Sequence, residues 1–369
     1  MDTFAFIIHP IDPKRDVSRK YPLLGKVLTE RQIDFFSTFF PPVYISEITG
    51  ITSQATGKEV MGWFIACPYT PRRMLELPER TVYRKIIETG RFAERLGANI
   101  LGLGAFTSVV GDAGLTVASS LDLPVTTGDS YTVSIAVQAI REAARVMDIP
   151  LESATAAVVG ATGSIGRVCA DLLADDVQRL LLIGRREENL AELRDRLQAR
   201  PERSRGVRSR SELVTSTSLS VLAEADLILT VTSAVQEVIQ PEFLRPGSVV
   251  CDVARPRDVS AMVAAVRNDI LVIDGGMVDV PGPVDFHFNF GFPPGKAYAC
   301  MAETIALALE GRFEDYTLGK DISRQRVEEI TSIAAKHGFR LSGFRSFERE
   351  VTEEQIESVR KRARLARSN

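Results

Sequence analysis

Residues 154–166 read Ala154-Thr-Ala-Ala-Val-Val159-Gly160-Ala-Thr162-Gly163-Ser164-Ile165-Gly166. The first six form an apolar, β-branched run without polar alternation, the pattern of a strand in a parallel sheet covered on both faces. A Gly-x-x-Gly-x-x-Gly turn follows, and a helical pattern runs on through Leu173. Small residues let a backbone approach a pyrophosphate, and a helix N-terminus turns its N–H groups toward the charge. Glycine clusters also serve as plain turns. Between a strand and a helix, in a train of parallel strands, this one reads as a dinucleotide site. Its binding residues are Gly160, Thr162, Gly163, Ser164, Ile165 and Gly166.

Moving outward, Leu180–Ile183, Leu227–Val231, Val249–Val253 and Ile270–Ile273 repeat the buried-strand character. Most intervals between them are long enough for crossover helices. A doubly wound parallel sheet of Rossmann type therefore extends from Ser153 to about Gly276. An NAD enzyme usually carries an acidic residue at the end of the second strand. Here that strand ends in Gly184-Arg185-Arg186. Two guanidiniums suit a 2′-phosphate, so the expected cofactor is NADPH, although a solvated arginine pair is common. Thr232 and Ser233, after the third strand, belong on the nicotinamide side or form only a turn.

Before the glycine turn, Phe4–Ile8, Val43–Thr52 and Val60–Ala66 read as strands, the last two around the turn residues Thr56-Gly57. Thr81–Leu96 reads as a helix. Ile100–Val110 reads as a buried strand and a loop. Asp129 caps a long helix whose apolar positions recur from Val133 to Met147 and which stops before Pro150. After the sheet, Pro281–Pro294 is an irregular Pro/Gly/Phe-rich loop. A helix from about Lys296 to Glu310 stops at Gly311.

The expected organisation is thus α/β. An N-terminal substrate-binding lobe (1–150) ends in the long helix, and an NADP-binding Rossmann domain (151–280) follows. Residues 281–345 form a loop and C-terminal helices, and 346–369 a charged tail, either a surface helix or a frayed end.

The chain has 369 residues, 45% hydrophobic and 25% charged, with a net charge of −3. That length divides naturally into two domains, and the composition excludes disordered, collagenous and coiled-coil classes. Mild acidity argues against nucleic acid as the main partner. The 3 His and 4 Cys include no C-x-x-C pair, so neither a metal site nor a disulfide framework is expected. No run of 18 apolar residues occurs, and the short N-terminal apolar run lacks the features of a signal peptide. The default address is the cytoplasm.

Four thiols remain. Cys169 falls in the first Rossmann helix, Cys251 in a buried strand, and Cys67 at a strand end before Pro68; packing explains each. Cys300 lies early in the helix after the Pro/Gly-rich loop. Packing is the usual fate of a free cysteine there too, but helix N–H groups and nearby Lys296 can lower a thiol pKa.

The segment Tyr298-Ala-Cys300-Met-Ala-Glu303, preceded by Asp274-Gly-Gly276, resembles the cysteine region of the long-chain acyl-[acyl-carrier-protein] reductases of cyanobacteria. The resemblance runs from about Phe4 to Phe344. It includes His9, Lys14-Arg-Asp-Val-Ser-Arg19, Glu47-Ile-Thr, Ala55-Thr-Gly-Lys58, Phe106-Thr-Ser108, Thr126-Thr-Gly128, Gly160-Ala-Thr-Gly163 and Lys336-His-Gly-Phe339. It implies that Cys300 takes an acyl group from a thioester and that NADPH reduces the acyl-enzyme to a fatty aldehyde. Thr107, Ser108, Thr126, Thr127 and Gly128 are the loop residues expected to face Cys300; turn formation is their alternative role. His9 and His337 are proton-transfer candidates of a type more often structural.

The chain departs from the family pattern in the loop Pro281–Pro294 and in the tail beyond Phe344. It also has Asp129 and Tyr131 where the resemblance leads one to expect Asn and His. Implied partners are an acyl-carrier protein or acyl-CoA as donor, and an enzyme that consumes the aldehyde. The run Arg194–Arg210, with seven arginines, is a candidate docking patch for an acidic carrier, or simply a solvated surface. Rival readings are a shikimate-type NADP-dependent dehydrogenase and a non-catalytic dinucleotide-binding protein.

Overall fold

The computed structural model describes residues 1–200, 211–234 and 236–368. The chain folds as two compact units. One comprises Met1–Thr132 and Val278–Ser342, the other Val133–Met277 and Gly343–Asn369. Among the described residues, no helix is long and apolar enough to cross a membrane.

The first unit is built on a five-stranded sheet in the order Val43–Thr52, Glu59–Ala66, Asp2–Ile8, Leu101–Leu103, Val125–Thr126. The first pair is an antiparallel hairpin, and the remaining neighbours are parallel. Period-two alternation sends Ala5 and Ile7 to one face, where they join a core with Val82, Ile86 and Ala93 of the helix Glu79–Leu96. Phe4 and Phe6 point to the other face. There the helix Ala299–Glu310 packs so closely that a Cβ on Gly102 would come within 2.2 Å of Thr304 Oγ1. That helix is apolar nearly all round and buried along almost its whole length, as a core helix must be. Each fully buried phenylalanine or isoleucine here contributes about 1.5–3 kcal/mol.

The second unit carries six parallel strands in the order Leu271–Asp274, Val249–Asp252, Leu227–Thr230, Thr155–Val159, Arg179–Ile183, Glu212–Ser216. This is the expected doubly wound sheet, and the strand order reverses beside Thr155–Val159, where such sheets bind their ligands. Glu212–Ser216 has no counterpart in the sequence reading. As a half-exposed edge strand it lacks the apolar run that marks the other five.

Several boundaries differ from those expected at 150, 280 and 345. The helix Asp129–Val146 starts in the first unit, but from Val133 onward its residues belong to the second. Residues 281–342 form no separate segment; they complete the N-terminal unit and supply the helix on its Phe4/Phe6 face. The predicted helix at Lys296 begins only at Ala299, because Lys296–Tyr298 is a strand beside Met277–Asp279. The tail is neither frayed nor free. Glu353–Ser368 is a helix with Ala363 buried, and Arg360 pairs with Asp148 at 2.8 Å.

Candidate active site

In the first unit the site grows from the start of the helix Ala299–Glu310, where Cys300 is the second residue. Gly128 lies directly against it. Its φ is +76°, and a Cβ there would fall 2.3 Å from Cys300 Cα and 2.4 Å from Cys300 Cβ. Glu303, one turn on, holds the two segments together. Its fully buried carboxyl accepts bonds from Thr126 Oγ1 at 2.5 Å, the Tyr131 amide at 2.8 Å and Thr317 Oγ1 at 2.8 Å. Burial pushes its pKa upward against the pull of these donors.

Asp129 follows Gly128 and is 4% exposed. Among the described residues, Asp129 Oδ2 and the buried Thr127 Oγ1 have no hydrogen-bond partner beyond each other. Buried polar atoms normally find partners, so this pair, on either side of Gly128, can receive a substrate atom. Burial, and then the charge of Glu303, push the Asp129 carboxyl up to about 8.

The thiol itself departs from expectation. Burial and the neighbouring Asp129 carboxyl push Cys300 up to about 12 rather than down. Lys296 does not serve it; its ammonium bonds Asp279 at 2.7 Å and also the Ser342 hydroxyl. Cys300 is therefore protonated at neutral pH and needs a base to become a nucleophile. The other three cysteines are fully buried, and burial raises each of them.

The loop that the sequence left irregular also contributes. Phe64 stacks on Phe286 (centroids 5.7 Å apart), Phe286 meets Phe290 (5.0 Å), Phe290 meets Phe292 (5.4 Å), and Phe292 meets Tyr298 (4.4 Å). Tyr298 caps the Cys300 helix. Phe290, Phe292 and Tyr298 are half-buried, so an apolar track of ring edges leads to the start of that helix.

In the second unit, Gly160 has φ +83° and its N–H donates to Ile183 O at 2.9 Å, which ties the turn to the end of the second strand. A Cβ on Gly166 would lie 2.1 Å from Gly160 O, so only glycine lets the turn close. Gly163 is the N-cap of the helix Ser164–Leu173 and offers no side-chain cap, which leaves the helix N–H groups at Ser164 and Ile165 open to an anion. Thr162 Oγ1 stands beside Gly184, which leads into Arg185 and Arg186. Both arginines are exposed, and neither has a carboxylate partner among the described residues. These features fit a dinucleotide with a 2′-phosphate.

The chain is 32% identical to the aminotransferase PigE of Serratia sp. over 97% of its own length, while spanning only 42% of that protein. It is 31% identical to the long-chain acyl-[acyl-carrier-protein] reductase of Synechococcus elongatus, covering 91% of this chain and 98% of that protein. The chain belongs to this reductase family.

The sequence pattern of the family described as Shikimate / quinate 5-dehydrogenase matches residues 141–274 of this family member, within the Rossmann-type unit. Among solved structures, it is similar to L-tryptophan dehydrogenase from Nostoc punctiforme (11% identity, 100% of this chain, 89% of that one, TM-score 0.42). It is also similar to glutamyl-tRNA reductase from Methanopyrus kandleri (18%, 78% and 55%, TM-score 0.31).

Not every expected residue lies against Cys300. The hydroxyls of Thr107 and Ser108 are bound locally, to Gly104 O and Ala105 O at 2.7 Å each, which is the turn-forming role. Thr126 is engaged with Glu303. Thr232, two residues beyond the strand Leu227–Thr230, donates its N–H to Asp258 at 2.8 Å, while Ser233 is exposed. His9 and His337 are structural. His9 Nε2 accepts from Phe106 N at 2.9 Å and burial drops its pKa to about 4; His337 bridges Ser53 and Glu310 at 2.8 and 2.7 Å. In the expected docking patch, Arg194 pairs with Asp195, and Arg200 with Asp171 and Asp175. Arg203, Arg205, Arg208 and Arg210 lie outside the described residues. Asp129 was the residue hidden by sequence reasoning, because an aspartate at a helix start reads as a cap. Its only signal was the departure from the family's Asn.

Proposed function

We propose that this protein reduces a fatty acyl thioester to the aldehyde with NADPH through an acyl-thioester on Cys300. The observation that carries the reading is the protonated Cys300 thiol beside the Asp129 carboxyl, which together with the Thr127 hydroxyl has no partner outside that pair. The aromatic track ending at Tyr298 supplies apolar surface for an acyl chain.

In the first half-reaction Asp129, as carboxylate, takes the proton from Cys300 Sγ. The sulfur attacks the thioester carbonyl, a new C–S bond forms, and the donor thiolate leaves with the proton returned by Asp129. Thr127 donates its hydroxyl to the carbonyl oxygen as negative charge gathers there. When bound, NADPH supplies the hydride that reduces the acyl carbon. In the second half-reaction Thr127 again holds the oxyanion, which collapses to aldehyde and expels Cys300 as thiolate. A thiol pushed up to about 12 regains a proton at once, drawn from solvent by way of Asp129. One solvent proton is consumed per aldehyde.

The test is intact-mass analysis after incubation with palmitoyl thioester in the absence of NADPH, followed by product analysis with it. Wild type should gain one palmitoyl group, which NADPH then discharges as hexadecanal; Cys300→Ser should release no aldehyde. The match over residues 141–274 favours one rival, direct oxidation of a small alcohol by the Rossmann unit without the thiol. Shikimate- or quinate-dependent reduction of NADP⁺ that survives Cys300→Ser would establish that rival. Absence of both activities and of any adduct would leave a dinucleotide-binding protein.

A further inference from the structure

Three short helices, Pro13–Lys20, Pro22–Val27 and Glu30–Ser37, connect the first strand of the first unit to its hairpin. Nine of the sixteen large hydrophobic side chains that the described residues expose fall between Tyr21 and Tyr44. Single exposed apolar residues are ordinary, but a cluster on that scale marks an interaction surface.

The packing of the helices turns their apolar faces outward. In Pro22–Val27, Gly25 is buried against Ser18 with no room for a Cβ. Leu23 and Val27 stand about 160° around the helix from it and are 77% and 78% exposed. In Glu30–Ser37, Ile33, Asp34 and Ser37 face inward. Arg73, at 3.1 Å, and the Thr70 hydroxyl fix Asp34 there. Phe35, Phe36 and Phe39 are left on the outer side, with Phe39 71% exposed. A water-facing helix carries polar residues on that side.

The charges form a second pattern. These helices hold six lysines and arginines against three acids, in a chain whose net charge is −3. Two of the acids, Asp16 and Asp34, are taken up by Arg19 and Arg73. Lys26 and Arg31 are exposed and form no ion pair among the described residues. At i,i+3 from Leu23 and i,i+4 to Phe35, they adjoin the two apolar faces. The first helix also touches the aromatic track of the candidate active site. Its Arg19 guanidinium lies against Gly291, between Phe290 and Phe292, and Lys20 Nζ donates to Ile45 O at 2.5 Å.

We infer that these helices seat the protein on the surface of an anionic phospholipid bilayer. Leu23, Val27, Phe35 and Phe39 enter between the headgroups while Lys26 and Arg31 meet the phosphates, the division of labour of an interfacial amphipathic segment. A second copy of the chain suits the face less well. An isologous contact sets a patch against itself, and would bring Lys26 and Arg31 of both copies together with Glu30 as the remaining acid. The inference goes beyond the acyl-thioester reading and does not depend on it. Where both hold, the bilayer lies beside the apolar track that takes the acyl chain.

The test is flotation of the full chain, without thioester or NADPH, on two kinds of vesicle. One holds phosphatidylglycerol and phosphatidylcholine in equal parts, the other phosphatidylcholine alone. Wild type should float with the mixed vesicles, bind the neutral ones about tenfold more weakly or worse, and be released by salt. Leu23→Ser/Val27→Ser/Phe39→Ser and Lys26→Glu/Arg31→Glu should each lower binding to mixed vesicles about tenfold or more. Circular dichroism and thermal unfolding should be unchanged, because all five side chains are exposed. Wild type that does not float, that binds neutral vesicles equally well, or that floats no better than the variants would overturn the inference. A wild-type dimer in sedimentation velocity that the serine variant dissolves, with no vesicle binding by either, would assign the face to a second copy. Since no substrate is present, failure of the thioester reduction leaves the vesicle result intact, and the reverse also holds.

Discussion

Gly128 and Cys300 are in backbone contact: a Cβ at position 128 would stand 2.3 Å from the Cα and 2.7 Å from the carbonyl oxygen of Cys300. Two of the three nearest atoms belong to the main chain of a buried helix, so neither can swing aside. The position also has φ +76°, which L side chains rarely adopt.

Gly128→Ala should therefore lower stability by about 1–3 kcal/mol through overpacking, on top of about 1 kcal/mol for the left-handed backbone. Gly97→Ala is the control. Gly97 has φ +85° but nothing within 4 Å of its would-be Cβ, so it should show only the conformational cost. Denaturant unfolding of both variants measures the difference. Cys300→Ala should not rescue Gly128→Ala, because the obstructing Cα and carbonyl remain. A Gly128→Ala loss no greater than the Gly97→Ala loss would mean that the contact is loose.

Asp129→Asn keeps the shape of the side chain and removes its titration. With the carboxyl pushed up to about 8, a base at this position is mostly protonated at pH 6 and ionised above pH 8. The rate of Cys300 acylation should climb with pH and level off above about 8 in wild type. In the variant it should fall about 10²-fold or more and lose that inflection. Stability should move the other way. A carboxyl whose folded pKa is raised favours the folded state below its unfolded value, near 4, and loses that benefit as pH rises to about 8. The gain in Tm of Asp129→Asn over wild type should thus grow between pH 4 and 8 and then hold. A pH-independent difference would mean that Asp129 does not titrate as a buried acid.

What could be read in the chain follows from how local each signal is. Thr155–Val159 and its four apolar companions announce a covered parallel sheet, because a continuous run of that length has few other uses. Glu212–Ser216, at the edge, needs no such run. The helices Pro13–Lys20 and Pro22–Val27 leave little trace in the sequence, because proline at the first helical position starts a helix as readily as it stops one elsewhere. The site is non-local: Thr126–Tyr131 and Cys300–Thr317, some 170 residues apart in sequence, are joined by Glu303, by the Thr127 N–H donating to Thr317 O at 2.9 Å and by the contact of Gly128 with Cys300. Cys300 was found by resemblance, and its high pKa came into view only with the carboxyl beside it.

Arg185 and Arg186 give the remaining prediction. They follow the strand Arg179–Ile183, beside Thr162 of the phosphate turn, and no carboxylate neutralises them among the described residues. If they hold the 2′-phosphate, Arg185→Ala/Arg186→Ala should raise KM for NADPH by about 10–100-fold, the worth of one or two charge-assisted bonds at about 1.5–3 kcal/mol. KM for NADH, which lacks that phosphate, should change by no more than about twofold, and kcat at saturating NADPH should hold. Higher salt should narrow the gap between the two cofactors in wild type and leave the variant unaffected, since an exposed guanidinium–phosphate pair is screened. Equal losses for NADPH and NADH would place the arginines against some other part of the dinucleotide.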